Sequence, residues 1–346
     1  MSKQKTNKKW LKFVVAGVLL LLIAGYAVAH YYLFSSLLAG EKKTYIYVDR
    51  DDNIDSVMTK VEAVAAPNAM QGFRTAANMK GYADKIKRGR YELNTDASAW
   101  SFVNTLIRGE QTPLNVPVPS VRTMDKMAAA ISKKLELDSL ELLQKLTDPA
   151  VCKKYGYEPH TIIGMFVPDS YNMYWTVSAD EFLDRMKSEC DKFWTEERRK
   201  KAKEIGFTQN EVCTLASIVT EETRNTAEKP TIAGLYINRL HKNMLLQSDP
   251  TVKYALKDFA LRRIYNSMLT VDDPYNTYKY PGLPPGPIKN PMKEDIDAVL
   301  NYQHHEYLFM CAKEDFSGTH NYARTMSEHH ANAQRYYKAL NERGIK

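Results

Sequence analysis

One uninterrupted apolar run dominates the hydropathy pattern near the N-terminus. It reads FVVAGVLLLLIAGYAVA over 13–29 and continues through HYYLF to Phe34, without a charge or a proline. About 20 apolar residues suffice for a helix that crosses a bilayer, so the pattern predicts a transmembrane helix over 13–34. The preceding residues, 1–12, form a basic tail that carries five lysines, Lys3, Lys5, Lys8, Lys9 and Lys12.

The orientation of this segment follows from the lysines. Positive charge stays on the cytoplasmic side, so we expect a single-pass protein of the cell (inner) membrane with a cytoplasmic N-terminus. A cleaved signal peptide is the alternative, because Ala27-Val28-Ala29 resembles a cleavage site. The length of the span and the interfacial rings of Tyr31, Tyr32 and Phe34 favour a retained anchor. Both readings place the bulk of the chain outside the cytoplasm.

The next eighty residues or so, up to residue 115, alternate between strand and helix patterns. TYIYVDRD (44–51) has the period of a strand, and Ile54, Val57, Met58 and Val61 then follow helical spacing, with Asp52 or Asn53 as the cap. A second helix pattern covers 68–80, GRYELNTD reads as a strand, and Gly109 ends a further helix. This strand–helix–helix–strand order predicts a small α+β module over 42–115.

A larger mixed α+β domain is predicted over 116–346. We expect helices at Thr123–Leu135, Ser139–Leu146, Ala179–Ile205 and about 229–242, with an aromatic loop, GMFVPDSYNMYWTVS, after the second. The stretch that includes LLQSDPTVKYAL and DPYNTYKYPGLPPGPIKNP is irregular and dense in Pro, Gly and Tyr. Its length and its many aromatic residues indicate a functional loop rather than disorder.

Charge and composition exclude some classes of function. The N-terminal lysines account for five of the seven net positive charges, since no acid precedes Glu41. The remainder is nearly neutral, and EERRKKAKE at 196–204 mixes signs as a solvated helix does, so we expect no nucleic-acid partner.

Neither the cysteines nor the histidines have metal-ligand spacing. Cys152, Cys190, Cys213 and Cys311 form no C-x-x-C pair, and their pairing stays open, although Cys213 lies in an apolar stretch typical of a buried residue. No H-E-x-x-H motif occurs among the histidines, and His329 and His330 diverge by about 100° on a helix, so we predict them as surface residues. No metal or cofactor is predicted.

The apolar run TLASIVTEET (214–223) ends in two adjacent acids. Thr208 and Glu211 form a capping box that fixes the helical phase. Leu215, Ile218 and Val219 then share one face, which Glu222 continues at i+7, whereas Glu221 is expected on a solvent-facing polar side with Thr214 and Ser217.

A carboxyl group at the end of an apolar stripe loses solvation, which raises its pKa and suits it to act as a general acid. A buried structural ion pair with Arg224 or Arg239 would put an acid on the same face. The helical pattern thus selects Glu222 over Glu221 but leaves catalysis and structure as alternatives.

Four segments together resemble one enzyme family. ASIVTEET, EKPTIAGLYINRL, LLQSDPTVKYAL and YNTYKYPGLPPGPIKNP resemble, in order and spacing, the MltG (YceG-like) family of endolytic murein transglycosylases. The resemblance covers nearly the whole chain from about residue 13 and implies that the small module is LysM-like. The family's catalytic glutamate, the second acid of an ASIxEKET-type motif, falls on Glu222; Thr220 and Glu221 depart from the motif at neighbouring positions.

The resemblance implies a lyase that cuts the β-1,4 bond between N-acetylmuramic acid and N-acetylglucosamine in nascent peptidoglycan and leaves 1,6-anhydro ends, which could terminate strand elongation. Its partners would be glycan strands, the membrane and peptidoglycan synthases. A non-catalytic wall-binding scaffold and a hydrolase are the alternatives. The resemblance also implies substrate-binding and supporting residues, several of which are equally ordinary turn residues: Asn238, Gln247, Asp249, Asn276, Tyr278 and His320 for binding, with Arg239 (expected to position Glu222 or another acid) and Asp169 in support.

Overall fold

A computed structural model describes residues 3–261 and 263–344 of the chain. The side chains of residues 3–9, which include four of the five lysines of the predicted basic tail, lie outside this description. The chain forms two compact units. The first runs to Asn115 and also includes Asn172–Val177, and the second comprises Val116–Tyr171 and continues from Ser178.

The N-terminal apolar run is helical, as predicted. Helix α1 spans Lys3–Ala29, and a π-helical segment, His30–Phe34, extends it. Within the described residues, Trp10–Phe34 is the stretch long and apolar enough to cross a membrane. Its apolar side chains are largely exposed, which is compatible with a single-pass membrane anchor.

The first unit pairs two strands and packs helices on them. Strands β1 and β2 are antiparallel, with Thr44 opposite Leu93 and Val48 opposite Gly89. Asn53, one of the two predicted caps, starts the first helix after β1, and Gly109, at a φ of 72°, ends the last, as predicted. The elements are β1 (Thr44–Val48), α2 (Ile54–Glu62), α3 (Pro67–Lys80), β2 (Gly89–Leu93) and α4 (Ala99–Arg108).

The core of the first unit begins upstream of β1. Leu37 is fully buried, and the rings of Phe73 and Phe102 pack with their centroids 6.2 Å apart. Helix α3 approaches the 30–34 segment closely, because a Cβ on Gly72 would lie 1.8 Å from the carbonyl oxygen of Tyr32. The apolar helix therefore leads directly into the core of this unit.

The second unit is mixed α+β. The chain passes into it within strand β3 and briefly out of it within strand β4. Strands β3 and β4 pair in a second two-stranded sheet. Strand β4 occupies part of the loop predicted over 164–178. The elements up to the central helix are β3 (Leu114–Val118), α5 (Met124–Ser132), α6 (Ser139–Thr147), α7 (Pro149–Lys154), β4 (Asp169–Met173), α8 (Ala179–Phe193), α9 (Glu196–Ile205) and α10 (Gln209–Glu222). Those after it are α11 (Lys229–His241), α12 (Asp249–Ala255), α13 (Lys293–Leu300), β5 (Phe309–Ala312), β6 (His320–Ala323) and α14 (Met326–Glu342).

The single helix predicted over Ala179–Ile205 is two helices, α8 and α9. Trp194, which is 1% exposed, leaves helical geometry, and the Thr195 hydroxyl accepts the amide N–H of Arg198 to start α9. The periodicity across the break stays amphipathic, so the pattern did not reveal the turn. A threonine ahead of two glutamates was the available signal.

Helix α10 is buried on all sides, which corrects the prediction of a polar side facing solvent. It packs against α11 and α13, and its residues 212–219 are all buried. Thr214 and Ser217 use their hydroxyls inside the protein: Ser217 donates to the Thr214 carbonyl and accepts the amide N–H of Ile288 at 3.0 Å. Small polar residues with satisfied hydroxyls pack in the interior, so the expected contrast between two faces is absent.

The predicted irregular region after α11 is ordered by buried hydrogen bonds. Asn290 is fully buried, accepts the amide N–H of Val121 at 2.6 Å and donates to the carbonyls of Pro119 and Phe166 at 3.0 and 2.9 Å. The region also contains α12. Farther along, β5 and β6 form an antiparallel hairpin, on which α14 packs.

Candidate active site

Helix α10 ends at Glu222 and places this residue beside two hydroxyl groups. As predicted, Thr208 and Glu211 start the helix with a capping box. Glu222 Oε1 accepts hydrogen bonds from the Tyr236 hydroxyl at 2.6 Å and the Ser248 hydroxyl at 2.5 Å. Among the described residues Oε2 has no such partner, and Glu222 stays partly exposed. One oxygen is thus held while the other is available.

Burial raises the pKa of the Glu222 carboxyl above its usual value. The two hydroxyl hydrogen bonds favour the ionised form and oppose this shift, whereas the negative charge of Asp249 adds to it. Desolvation is the largest of these causes. The environment therefore favours a protonated carboxyl group at higher pH than for a glutamate in water, which is what a proton donor requires.

Glu222 opens onto a cavity of about 490 Å³ in the second unit. Its wall combines carboxyl, amide, phenol and imidazole groups with apolar side chains of β5 and α14, a mixture suited to a ligand with hydroxyl groups and apolar faces. The lining residues are Glu222, Leu235, Tyr236, Arg239, Leu246, Gln247, Asp249, Tyr278, Phe309, Met310, Cys311, Ala312, His320, Met326, His329 and His330.

Asn238 and Asp169, both proposed from the sequence for the site, do not line this cavity. Asn238 donates its amide N–H groups to the carbonyls of His305 and Tyr307 at 2.7 and 3.1 Å, so it holds the chain ahead of β5. Asp169 is exposed and pairs with Lys293. Each side chain is thus used in a local structural contact.

Asn276 and Tyr278 are close in sequence but have different surroundings. Asn276 is fully buried and donates to the carbonyls of Leu269 and Val271 at 2.9 and 2.8 Å, so it stabilises the turn and does not line the cavity. Tyr278 does line it, and its hydroxyl donates to Asp249 Oδ1 at 2.6 Å. The turn built by Asn276 therefore positions the Tyr278–Asp249 pair.

Arg239 does not position an acid, contrary to the expectation from the sequence. Its guanidinium donates to the carbonyls of Leu245 and Leu308, both at 2.8 Å, and to Gln247 Oε1 at 2.6 Å. Glu222 is instead held by uncharged hydroxyls, so the alternative of a buried ion pair between Glu222 and an arginine is not observed among the described residues. Uncharged hydroxyls lower the carboxyl pKa less than an arginine would, so desolvation still keeps it raised.

His320 lines the cavity and is anchored by Glu228, an acid that the sequence analysis did not select. The His320 backbone N–H donates to Glu228 Oε1 at 2.8 Å, and its Nδ1 lies 3.3 Å from Oε2. Hydroxyls of Tyr322 and Thr223 also donate to this carboxylate, at 3.1 and 3.3 Å. Glu228 therefore joins the end of α10 to β6.

His329 is a further correction, because it is partly buried at the cavity wall, whereas His330 is exposed, as predicted. Its ring stacks on Phe309 with centroids 5.6 Å apart and an interplanar angle of 27°. Burial lowers its pKa, assisted by the proximity of the His330 imidazole and the Arg239 guanidinium. Helical spacing alone could not reveal this position, since the β5–β6 hairpin that covers it comes from earlier in the chain.

The two residues that hold Glu222, Tyr236 and Ser248, were missed by the sequence analysis. Tyr236 lies three residues before Arg239 on α11, on the same helix face, and Ser248 directly precedes Asp249. Both residues lie close to residues that the sequence analysis selected, but only folding shows that two separate segments bring their hydroxyls to one carboxylate.

Glu221 is mostly buried in an ion-pair network, not exposed as predicted. Its carboxylate lies 2.5 Å from Arg122 Nη2 and 3.0 Å from Lys289 Nζ, and its side chain is 16% exposed. These cations hold the pKa of Glu221 below its usual value although burial opposes them. The two adjacent glutamates thus have pKa values displaced in opposite directions.

We expect Glu221→Gln to lower the free energy of unfolding by about 2 kcal/mol at neutral pH, because Arg122 and Lys289 then lose their anion. A depressed native pKa stabilises the fold fully above the unfolded value, near 4.5, and the effect is lost as pH falls through the native pKa. Urea unfolding of the detergent-solubilised chain at pH 7 and pH 3 measures this. An equal difference from wild type at both pH values would contradict the assignment.

The described architecture is a mixed α+β protein with an N-terminal apolar helix and an open cavity around one partly desolvated, protonatable carboxyl group. The chain belongs to the YceG-like family, whose sequence model matches residues 46–335.

Relatives named as endolytic murein transglycosylases and one solved structure are similar over most of the chain. An endolytic murein transglycosylase of Bacillus subtilis is 26% identical over 84% of this chain and 83% of its own length. One of Streptococcus pneumoniae is 27% identical over 91% of this chain, which spans 63% of the pneumococcal protein. The crystal structure of a YceG-like protein of Listeria monocytogenes matches with a TM-score of 0.56 and 26% identity, over 84% of this chain and 99% of that one.

Proposed function

We propose that this protein is an endolytic murein transglycosylase, a lyase that cleaves the β-1,4 bond between N-acetylmuramic acid and N-acetylglucosamine within peptidoglycan strands. The observation that carries the proposal is the Glu222 carboxyl group, which has a raised pKa, one held oxygen and one free oxygen at an open cavity. The relatives named as such enzymes support the same conclusion.

In the proposed reaction, Glu222 donates its proton to the glycosidic oxygen, and the bond from that oxygen to C1 of the muramic unit breaks. The C6 hydroxyl of the same unit attacks C1, and its proton passes to the Glu222 carboxylate. The products are a 1,6-anhydro end and a free hydroxyl on N-acetylglucosamine, with no water consumed. Because the nucleophile belongs to the sugar, one acid–base residue suffices, whereas glycosidases typically need two carboxyl groups.

The remaining groups of the cavity have proposed roles in binding. Gln247, Tyr278 and His320 offer hydrogen bonds and ring faces to the sugars. The negative charge of Asp249, held by the Tyr278 hydroxyl, would stabilise positive charge that develops at C1. We assign Asn238, Asn276 and Asp169 only indirect roles, through the segments that they hold. A non-catalytic scaffold would not need a desolvated acid at an open cavity.

The other parts of the chain suit an enzyme acting on nascent strands at the membrane. We propose that the apolar helix anchors the protein with a cytoplasmic N-terminus and an extracytoplasmic catalytic domain. The order β1-α2-α3-β2 and the antiparallel pairing of its strands support a LysM-like module that binds glycan. The catalytic domain would then cover 116–346.

Product analysis tests the reaction. Full-length protein in detergent, incubated with purified sacculi, is expected to release fragments ending in 1,6-anhydro-muramic acid, detected by mass spectrometry. A hydrolase that used Asp249 as a second carboxylate would leave reducing ends heavier by one water. Reducing ends alone would overturn the lyase proposal, and no product from any strand preparation would favour the scaffold.

A further inference from the structure

The guanidinium of Arg239 is a buried cation at the cavity wall that has only uncharged partners. Arg239 is 6% exposed, and its hydrogen bonds reach two carbonyl oxygens and one amide oxygen. The ring of Phe309, 5.6 Å from its Cζ, adds a weak favourable contact. Buried charges are normally paired with an opposite charge. No acid pairs with Arg239 among the described residues. A negatively charged group of a bound ligand is therefore a candidate for the counter-ion of Arg239.

Gln247 extends this donor surface. A guanidinium can only donate, so the amide oxygen of Gln247 must face Arg239 and its NH₂ group is left to point elsewhere. That NH₂ group has no partner within the described part of the chain, and Gln247 lines the cavity. Gln247 also has a φ of 54°, which is uncommon for residues other than glycine, and its backbone N–H donates to the Thr277 carbonyl at 3.1 Å.

The donor pair lies beside the proposed proton donor. Tyr236 and Arg239 are three residues apart on one face of α11, so their side chains start about one helical turn, roughly 5–6 Å, from each other. Tyr236 binds Glu222, which Ser248 also binds, and Arg239 binds the residue before Ser248, Gln247. A ligand cleaved at Glu222 would therefore extend past Arg239 and Gln247.

We propose that Arg239 and Gln247 form a subsite for a carboxylate of the peptidoglycan substrate, next to the muramic unit that is cleaved. This inference rests on the proposed function. The hydroxyl and acetamido groups of the glycan are neutral, and its carboxylates belong to the lactyl side chain of muramic acid or to the stem peptide. A carboxylate offers the two-oxygen geometry that a guanidinium and an amide recognise, and it supplies the missing negative charge.

The subsite is tested by comparing charged and neutral forms of the substrate in the wild type and in an Arg239 variant. Glycan strands freed of peptides by an amidase carry lactyl carboxylates, and carbodiimide with methylamine converts these into neutral methylamides. For the wild-type full chain, kcat/KM for anhydro product is expected to be about 10- to 100-fold lower on the methylamide strands. In Arg239→Gln this difference should largely disappear, because the substitution removes the cation that binds the carboxylate.

A purely structural role of Arg239 predicts another outcome. Arg239 also anchors the backbone ahead of Ser248, so its loss could slow both substrates equally; retention of the full wild-type preference in folded Arg239→Gln would overturn the subsite. Thermal unfolding reports whether this variant folds. If it does not, Gln247→Ala, which keeps the cation and removes the amide donor, is expected to lose part of the preference, and an unchanged preference overturns the proposal.

Control experiments separate this inference from the function on which it rests. Arg198→Gln removes a guanidinium that is paired with Asp297 and does not line the cavity, so the substrate preference should persist. Peptide-bearing strands, native and amidated, distinguish a stem-peptide carboxylate from the lactyl one. Equal kcat/KM of the wild type on charged and neutral strands of both kinds defeats the subsite alone. Absence of anhydro product from every strand defeats the proposed function.

Discussion

Glu222→Gln is expected to lower the rate of anhydro-product release from sacculi by about 10³-fold. The amide cannot donate a proton to the glycosidic oxygen, although its oxygen can still accept the Tyr236 and Ser248 hydroxyls. The geometry of the cavity should therefore persist while the chemistry stops. Mass spectrometry of the released fragments measures the rate, and a variant with wild-type rate would refute the role of Glu222 as the proton donor.

The adjacent acid provides the matched control for this substitution. Glu221→Gln removes a carboxylate one position earlier, which pairs with Arg122 and Lys289 and does not line the cavity. It should keep most of the activity and lose stability. Glu222→Gln should show the reverse, with equal or higher thermal stability, because a neutral amide avoids the desolvation that raises the Glu222 pKa.

The largest expected loss of stability follows substitution of a buried ion pair in the second unit. Lys229 Nζ lies 2.5 Å from Asp295 Oδ1, and the two side chains are 8% and 0% exposed. Asp295 also accepts the amide N–H of Met292 at the start of α13. Lys229→Met leaves the buried carboxylate without its cation, so we expect the free energy of unfolding to fall by about 3–5 kcal/mol. Denaturant unfolding in detergent measures this.

A second lysine provides the comparison. Lys200 pairs with Glu204 at 3.9 Å on α9, with both side chains mostly exposed, so Lys200→Met should change stability by less than about 0.5 kcal/mol. The double variant Lys229→Met with Asp295→Asn should recover part of the loss, since no unpaired charge is then buried. If Lys229→Met were as mild as Lys200→Met, the pair would not hold α11 on α13.

Much of the local structure was predictable because its causes lie within a few residues. The cap at Asn53, the stop at Gly109 and the capping box at Thr208 were all confirmed. Each depends on a side chain or backbone conformation that acts on its own helix end. The errors arose where a local pattern is ambiguous, as at the break between α8 and α9 near Trp194.

The two adjacent glutamates show where local reasoning ends. Helical spacing correctly separated Glu222 from Glu221, because neighbours on a helix point about 100° apart. It wrongly assigned Glu221 to solvent, since the cations that bury it, Arg122 and Lys289, come from distant parts of the chain. Local spacing likewise failed for Arg239, because its side-chain partner is a glutamine and not an acid.

By itself, then, the sequence determined the apolar helix near the N-terminus, most helix ends and the divergence of Glu221 and Glu222 at the end of α10. These follow from length, composition and a period of 3.6 residues. Only the tertiary structure decided that Tyr236 and Ser248 hold this carboxyl group and that Arg239 faces the cavity without an acid. The physical reason is that a pKa and a cavity depend on which distant side chains exclude water from a group, and packing alone sets those neighbours.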